Sequence, residues 1–169
     1  MAEHSFGYKL PRQIEAHYPD NTLLDDLHSR TKKLGDGGTL VLPVLNFSEP
    51  LKSALLAARR SGRIVRGLET AAATLNNEGY GIDLLRQDAA QGRRISRVVL
   101  LSNDGSGNFY RTVERLLEKH APRVLGCLLH ADSFQLGSLL FGRAAAARLV
   151  LVSHKDDVSR LLLALMQQR

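Results

Sequence analysis

Four arginines, Arg59, Arg60, Arg63 and Arg66, fall within eight residues and run directly into Gly67, Glu69 and Thr70. Each guanidinium presents a planar fork of N–H donors that matches the oxygens of a phosphate. A glycine ahead of a helix lets the backbone turn sharply. The helix start beyond it offers free N–H groups and the positive end of the dipole to an anion. The segment therefore has the chemistry to hold a nucleic-acid backbone. The same residues also read as a solvated edge, with Gly67 serving only a tight turn. Glu69 would repel phosphate unless it accepts from a guanine edge or a protein donor. It is also an ordinary helix-start acid, favoured by the dipole.

Other chemistry-bearing residues are weaker candidates. Asn103-Asp104-Gly105-Ser106-Gly107 sits between an apolar run and an amphipathic one, where nucleotide-binding loops often lie. It lacks the Gly-x-Gly-x-x-Gly and Gly-Lys-Ser/Thr patterns, and reads better as a turn with a helix cap. The six histidines are scattered, with no His-x3-His pairing for a metal. Ser102, Ser133 and Ser153 have no Gly-x-Ser-x-Gly context. His120 with Asp132 or Glu118 has no spacing that recommends it as an acid–base pair. The single cysteine, Cys127, lies in the run Val-Leu-Gly-Cys-Leu-Leu and reads as a core residue. No catalytic constellation, cofactor or metal site is expected.

The composition agrees with a soluble protein that has a nucleic-acid partner and argues against several other classes. Of 169 residues, 44% are hydrophobic and 24% charged, a globular balance sufficient for one core. The net charge of +6 and the pI of about 9.8 favour an anionic partner. The longest apolar stretches are too short to span a bilayer, so no membrane role is expected. The start, MAEHSFGYKLPRQ, has no apolar signal region, and its early acids argue against a transit peptide. The expected location is cytoplasm or nucleus, nucleolus included.

These residues need elements to position them. Residues 1–38 read as an N-terminal extension, with one short helix over 22–34 and a turn at Gly35-Asp36-Gly37-Gly38, packing on a partner or on the domain surface. A domain follows over 39–169. Ser48-Glu49-Pro50 starts a helix whose apolar face is Leu51, Leu55 and Leu56. Ile64-Val65 is a short strand, and Gly67 opens a helix over 68–75. Residues 76–94, rich in Gly and polar groups, read as a loop insertion that contains a helical turn around Ile82–Gln87. Strands follow at 97–101, 124–129 and 148–152, and helices at Phe109 to Leu117, 133–141 and Val158 to Leu165. The alternation predicts an α/β fold, a three-layer α/β/α sandwich around a four-stranded mixed sheet. Val99, Leu101, Leu125, Leu128, Val150 and Val152 should be buried.

The order of elements meets two local signals. Arg63-Ile64-Val65-Arg66-Gly67-Leu68-Glu69 is a strand running through a glycine into a helix. Leu136-Gly137-Ser138-Leu139-Leu140-Phe141-Gly142 is an LG-x4-G helix ahead of the last strand. Between them lie a strand ending in Ser102-Asn103-Asp104 and a helix ending in Lys119-His120-Ala121-Pro122. Over about residues 46–165 the chain resembles the L-seven-Ae / L-thirty-e family. That family comprises large-subunit ribosomal proteins, core proteins of box C/D and H/ACA snoRNPs, and relatives in RNase P and MRP. The resemblance implies an L-thirty-e-like fold and binding of kink-turn RNA. In the family, a helix start reading roughly Gly-x-Asn-Glu-x-x-Lys, with the loop beyond the LG-x4-G helix, grips sheared G·A pairs.

Gly67 matches that pattern, whereas the family's Asn falls on Glu69, its Glu on Thr70 and its Lys on Ala73. The loop after Gly142 reads Arg143-Ala144-Ala145-Ala146-Ala147. The resemblance thus implies a divergent, non-catalytic RNA-binding subunit of a ribonucleoprotein: a snoRNP, an RNase MRP-like particle, or a ribosome or its precursor. Its RNA contacts would be Arg59, Arg60, Arg63, Arg66, Gly67, Glu69, Thr70 and Arg143, alongside other protein subunits. Two other readings stand beside it. One is a protein–protein scaffold on the same fold; the other is a small nucleotide-binding protein or enzyme using the Asn103–Gly107 turn.

Overall fold

The computed structural model describes residues 8–20, 22–35, 37–85 and 94–167, without the side chains of 83–85. Helices α1 (Arg12–His17) and α2 (Thr22–Ser29) come first, then strands β1 (Thr31–Lys33) and β2 (Val41–Leu45). Next come α3 (Glu49–Arg60), β3 (Ile64–Arg66), α4 (Leu68–Leu85) and β4 (Arg97–Leu101). The chain closes with α5 (Gly107–His120), β5 (Val124–Leu129), α6 (Ser133–Phe141), β6 (Leu149–Val152) and α7 (Lys155–Met166).

The strands form one mixed sheet in the order β1-β2-β5-β4-β6-β3. The run β2-β5-β4 is parallel, with Leu45 opposite Leu129 and Leu101 opposite Leu128. Strand β6 is antiparallel to both β4 and β3, and β1 is antiparallel to β2. The α/β class stands, but the sheet has six strands instead of the expected four. The two extra strands carry weak signals. Strand β1 is Thr-Lys-Lys, exposed throughout, with no apolar alternation. Strand β2 contains Pro43, a residue that argues against an interior strand.

Alternation along the strands divides the core in two. Val98, Leu100, Leu125, Cys127, Leu129, Val150 and Val152 pack with α1, α2, α3, α6 and α7. Val99, Leu101, Leu128, Leu149 and Leu151 pack with Ala71 and Leu75 of α4 and Val113, Leu116 and Leu117 of α5. Helices therefore cover both faces of the sheet. All six side chains expected in the core are buried. Gly126 marks a close approach of β5 to α5, since a Cβ there would lie 2.5 Å from a Leu117 methyl. Cys127 is buried too, and loss of hydration pushes its thiol pKa up to about 12.

The helix starts follow local chemistry. The Ser48 hydroxyl accepts from the Leu51 N–H at 3.4 Å, and Ser106 accepts from Phe109 at 3.1 Å. Asp132 and Gln135 form a reciprocal capping box at the start of α6.

Two expectations about loops change. Helix α2 stops at Ser29, short of the 22–34 span, because 31–33 pair with β2. Residues 76–81 continue α4 and are not a loop, and the helical turn expected from Ile82 is the end of that same helix, at Leu85, since the sheet and α5 support a helix that Gly79 and Gly81 weaken only locally. The remainder of the expected insertion, 86–93, lies outside the described residues. Within the 1–38 extension, Leu10, Ile14, Leu23 and Leu27 are buried in one core cluster and Leu34 in the other. Among the described residues, no helix is long and apolar enough to cross a membrane.

Candidate nucleic-acid interface

The arginine segment lies along β3, an edge strand of the sheet, and leads into α4. Gly67 joins them with φ +91°, a left-handed conformation that glycine adopts without strain. Its N–H donates to the Leu149 carbonyl at 2.9 Å, and its carbonyl accepts from Ala71 as α4 begins. Glu69 and Thr70 are exposed on that first turn. Ala73, one turn further on, is exposed and carries no charge.

The loop between α6 and β6, residues 142–148, is drawn to the same place. Arg66 Nη2 donates to the Ala146 carbonyl at 2.8 Å, and its guanidinium lies 4.7 Å from the Phe141 ring centre. The Arg59 guanidinium lies 5.5 Å from the same ring, and its Nε donates to the Leu140 carbonyl at 3.1 Å. Phe141 thus carries two cations on its π system. The glycines of the LG-x4-G helix have distinct jobs here. A Cβ on Gly137 would lie 2.5 Å from the Ala145 carbonyl oxygen, so only glycine lets the loop fold back onto α6. Gly142 ends the helix at φ +103°, and Ala144 follows at φ 68°.

The structure brings Arg59, Arg66 and Gly67 against the end of α6, this loop and the start of β6, while Glu69 and Thr70 follow on the first turn of α4 and Arg143 is exposed on the loop. Arg60 is exposed at the end of α3. Arg63 is turned elsewhere. Its Nη1 lies 3.2 Å from Asp157 Oδ2 and 3.1 Å from His154 Nδ1, at the start of α7. Among the described residues, Arg59 and Arg66 have no acidic partner, so the surface keeps its positive charge. Sequence reasoning missed Phe141 as the common floor under Arg59 and Arg66. The signal was present in the motif, but Phe141 lies more than seventy positions from either arginine in the chain.

The Asn103–Gly107 turn is held by its own side chains. Ser102 Oγ and Ser133 Oγ each donate to Asp104 at 2.7 Å, and the Ser133 N–H adds a third donor. Partial burial pushes the Asp104 carboxyl up, but these donors outweigh it, and the net shift is below the usual value. The Tyr110 hydroxyl closes the turn, donating to the Ser102 carbonyl at 2.6 Å and accepting from Gly105. These contacts tie β4 to α6 and occupy the carboxylate. No group of three or more His, Cys, Asp or Glu among the described residues is placed to hold a metal ion.

No protein-family model matches the chain, and no curated protein matches it. Solved structures do. A protein of unknown function from Bacillus halodurans is 20% identical, with 70% of this chain and 97% of that chain covered at a TM-score of 0.45. A 15.5kD RNA binding protein from Giardia lamblia is 11% identical, with 70% and 83% covered at a TM-score of 0.46.

Proposed function

We propose that this chain is a non-catalytic RNA-binding subunit of a ribonucleoprotein with an L-thirty-e-like fold, meeting structured RNA at the start of α4 and the α6–β6 loop. The observation that carries the reading is the Arg66 bridge. It holds the loop beside a helix start that opens on a left-handed glycine, with two guanidiniums on the Phe141 ring that have no acidic partner among the described residues. Phosphates would be met by Arg59, Arg60 and Arg143, and by the N–H groups that begin α4. Neighbouring protein subunits of a snoRNP, an RNase MRP-like particle or a pre-ribosome would complete the placement.

A protein scaffold without specific RNA reading is the second interpretation, and Ala73 favours it. The helix face that would read base edges carries Thr70 and Ala73 where the resemblance implies a carboxylate and a cation. Loss of such contacts weakens discrimination more than phosphate binding. The test is a paired titration of the isolated protein at one salt concentration, with a kink-turn RNA and a control whose G·A pairs are replaced. We expect both to bind, with a preference below about tenfold, roughly 1.4 kcal/mol. Binding to neither at low salt would overturn the RNA-binding reading. A preference of about a hundredfold would show that Glu69 and Thr70 still read the RNA.

A further inference from the structure

The opposite end of α4 holds a second surface, about 20 Å along the helix from Gly67 at 1.5 Å per residue. A cleft of about 430 Å³ opens there between α4, the end of α5 and the start of β5. Its walls include Asn76, Tyr80 and Ile82 on one side and Lys119, His120 and Arg123 on the other. Tyr80 is 72% exposed, the more exposed of the two large hydrophobic side chains left in solvent among the described residues. An aromatic ring in that position contributes nothing to the core.

The polar groups in the cleft differ in kind. Arg123 is buried and already held, donating to Glu78 at 3.0 Å and to the Leu75 carbonyl. Lys119 is exposed and has no acidic partner among the described residues. Between them His120 Nε2 meets Asn76 Oδ1 at 3.0 Å. Burial, reinforced by the charges of Arg123 and Lys119, lowers the pKa of His120, so its ring is neutral near pH 7. Nε2–H and Oδ1 satisfy each other, which leaves the Asn76 amide N–H groups as donors and the second lone pair of its carbonyl as an acceptor at the cleft wall, the complement of a nucleobase edge.

We infer that this cleft docks one unstacked nucleotide of single-stranded RNA, its base on the face of Tyr80, its edge toward the Asn76–His120 pair and its phosphate on Lys119. Stacking on an exposed aromatic beside a cation is the usual physics of single-strand binding. The site is separate from the arginine surface, and it needs neither a kink-turn nor Arg66. Its chemistry favours a nucleotide over a protein segment because the aromatic shelf is bounded by a cation and by paired amide and imidazole groups.

The experiment titrates the full chain with a short labelled oligouridine, which has no stable secondary structure, and with an abasic strand of the same length. Wild type should prefer the oligouridine. Tyr80→Ala should weaken oligouridine binding by roughly tenfold, while Tyr80→Phe should retain it. Lys119→Gln should weaken it and lower the log–log salt slope by about 0.7. Tyr80→Ala should leave binding of the kink-turn RNA unchanged, so that this reading and that of the arginine surface fail separately. Both positions are exposed, and an unchanged melting temperature confirms that the variants fold. Equal binding of the abasic strand, or no effect of Tyr80→Ala, would reduce the cleft to a phosphate-attracting patch and overturn the inference. No oligouridine binding by wild type would overturn it as well, leaving Tyr80 to a protein partner.

Discussion

The Arg63 guanidinium lies 3.2 Å from the carboxylate of Asp157, a side chain with no solvent exposure, which Arg160 holds from its other oxygen at 3.0 Å. This pair ties the loop before β3 to the first turn of α7. A buried carboxylate that loses one of two cationic partners keeps its desolvation cost with less compensation. Arg63→Ala should therefore destabilise the fold by about 1–3 kcal/mol, lowering Tm by roughly 3–9 °C. RNA affinity and its salt slope should not change. Thermal melts and salt-dependent titrations check both halves. An unchanged Tm with a shallower slope would return Arg63 to the RNA surface.

Arg66 carries the opposite expectation. Its side chain is exposed and ties the α6–β6 loop through Ala146 and Phe141. Arg66→Ala should lower affinity for structured RNA and, if the guanidinium also meets a phosphate, reduce the log–log salt slope by roughly 0.7–0.9. Arg66→Lys should restore the charge without the planar stacking and recover only part of the affinity. Equal affinity of all three proteins would remove Arg66 from the interface.

The two glycines beside this surface can be separated by alanine substitution. No atom lies within 4 Å of a Cβ at Gly67, so Gly67→Ala tests only the left-handed backbone and should cost about 1–2 kcal/mol. Gly67→Asn should cost less, because Asn tolerates that region better. Gly137→Ala is different, because the new methyl meets the loop backbone at 2.5 Å. It should move the loop and weaken RNA binding with no charge altered. Amide chemical shifts of residues 142–147 report the displacement, and unperturbed shifts would contradict it.

Acid should loosen the link between β4 and α6. The Asp104 carboxyl sits below its ordinary value of 3.8 because Ser102 and Ser133 donate to the charged form. A folded-state pKa below the unfolded value gives stability that is fully present above about pH 4 and is lost as pH falls through the folded value. Asp104→Asn should be less stable than wild type at pH 7, and the gap should narrow as pH falls below 3.8. Denaturant melts at a series of pH values measure it. A gap that does not change with pH would mean that the charge contributes nothing.

Much of the frame was legible in the residues themselves. Apolar runs at β4 and β5 are buried on both faces, so their side chains announce a central strand without help from neighbours. Ser48 and Pro50 announce the start of α3, because capping is a contact within four residues. The span Ser133–Phe141 also reads as a helix from sequence, and the structure adds the Asp132–Gln135 capping box that starts it.

What escaped was whatever depended on distant partners. Strand β1 is three exposed residues, and only hydrogen bonds to β2 make it a strand. The second half of α4 contains Gly79 and Gly81, whose weak propensity is overridden by the packing of the helix on the sheet and α5. Among the arginines, sequence shows a cluster of like charges and nothing more. Side-chain direction separates them, sending Arg63 to Asp157 and Arg66 to Phe141, whose positions lie far along the chain. Local chemistry determined the charge, the caps and the buried strands. Only tertiary packing decided which charges are paired within the protein and which remain without an acidic partner among the described residues, because pairing depends on distances that the chain closes only when it folds.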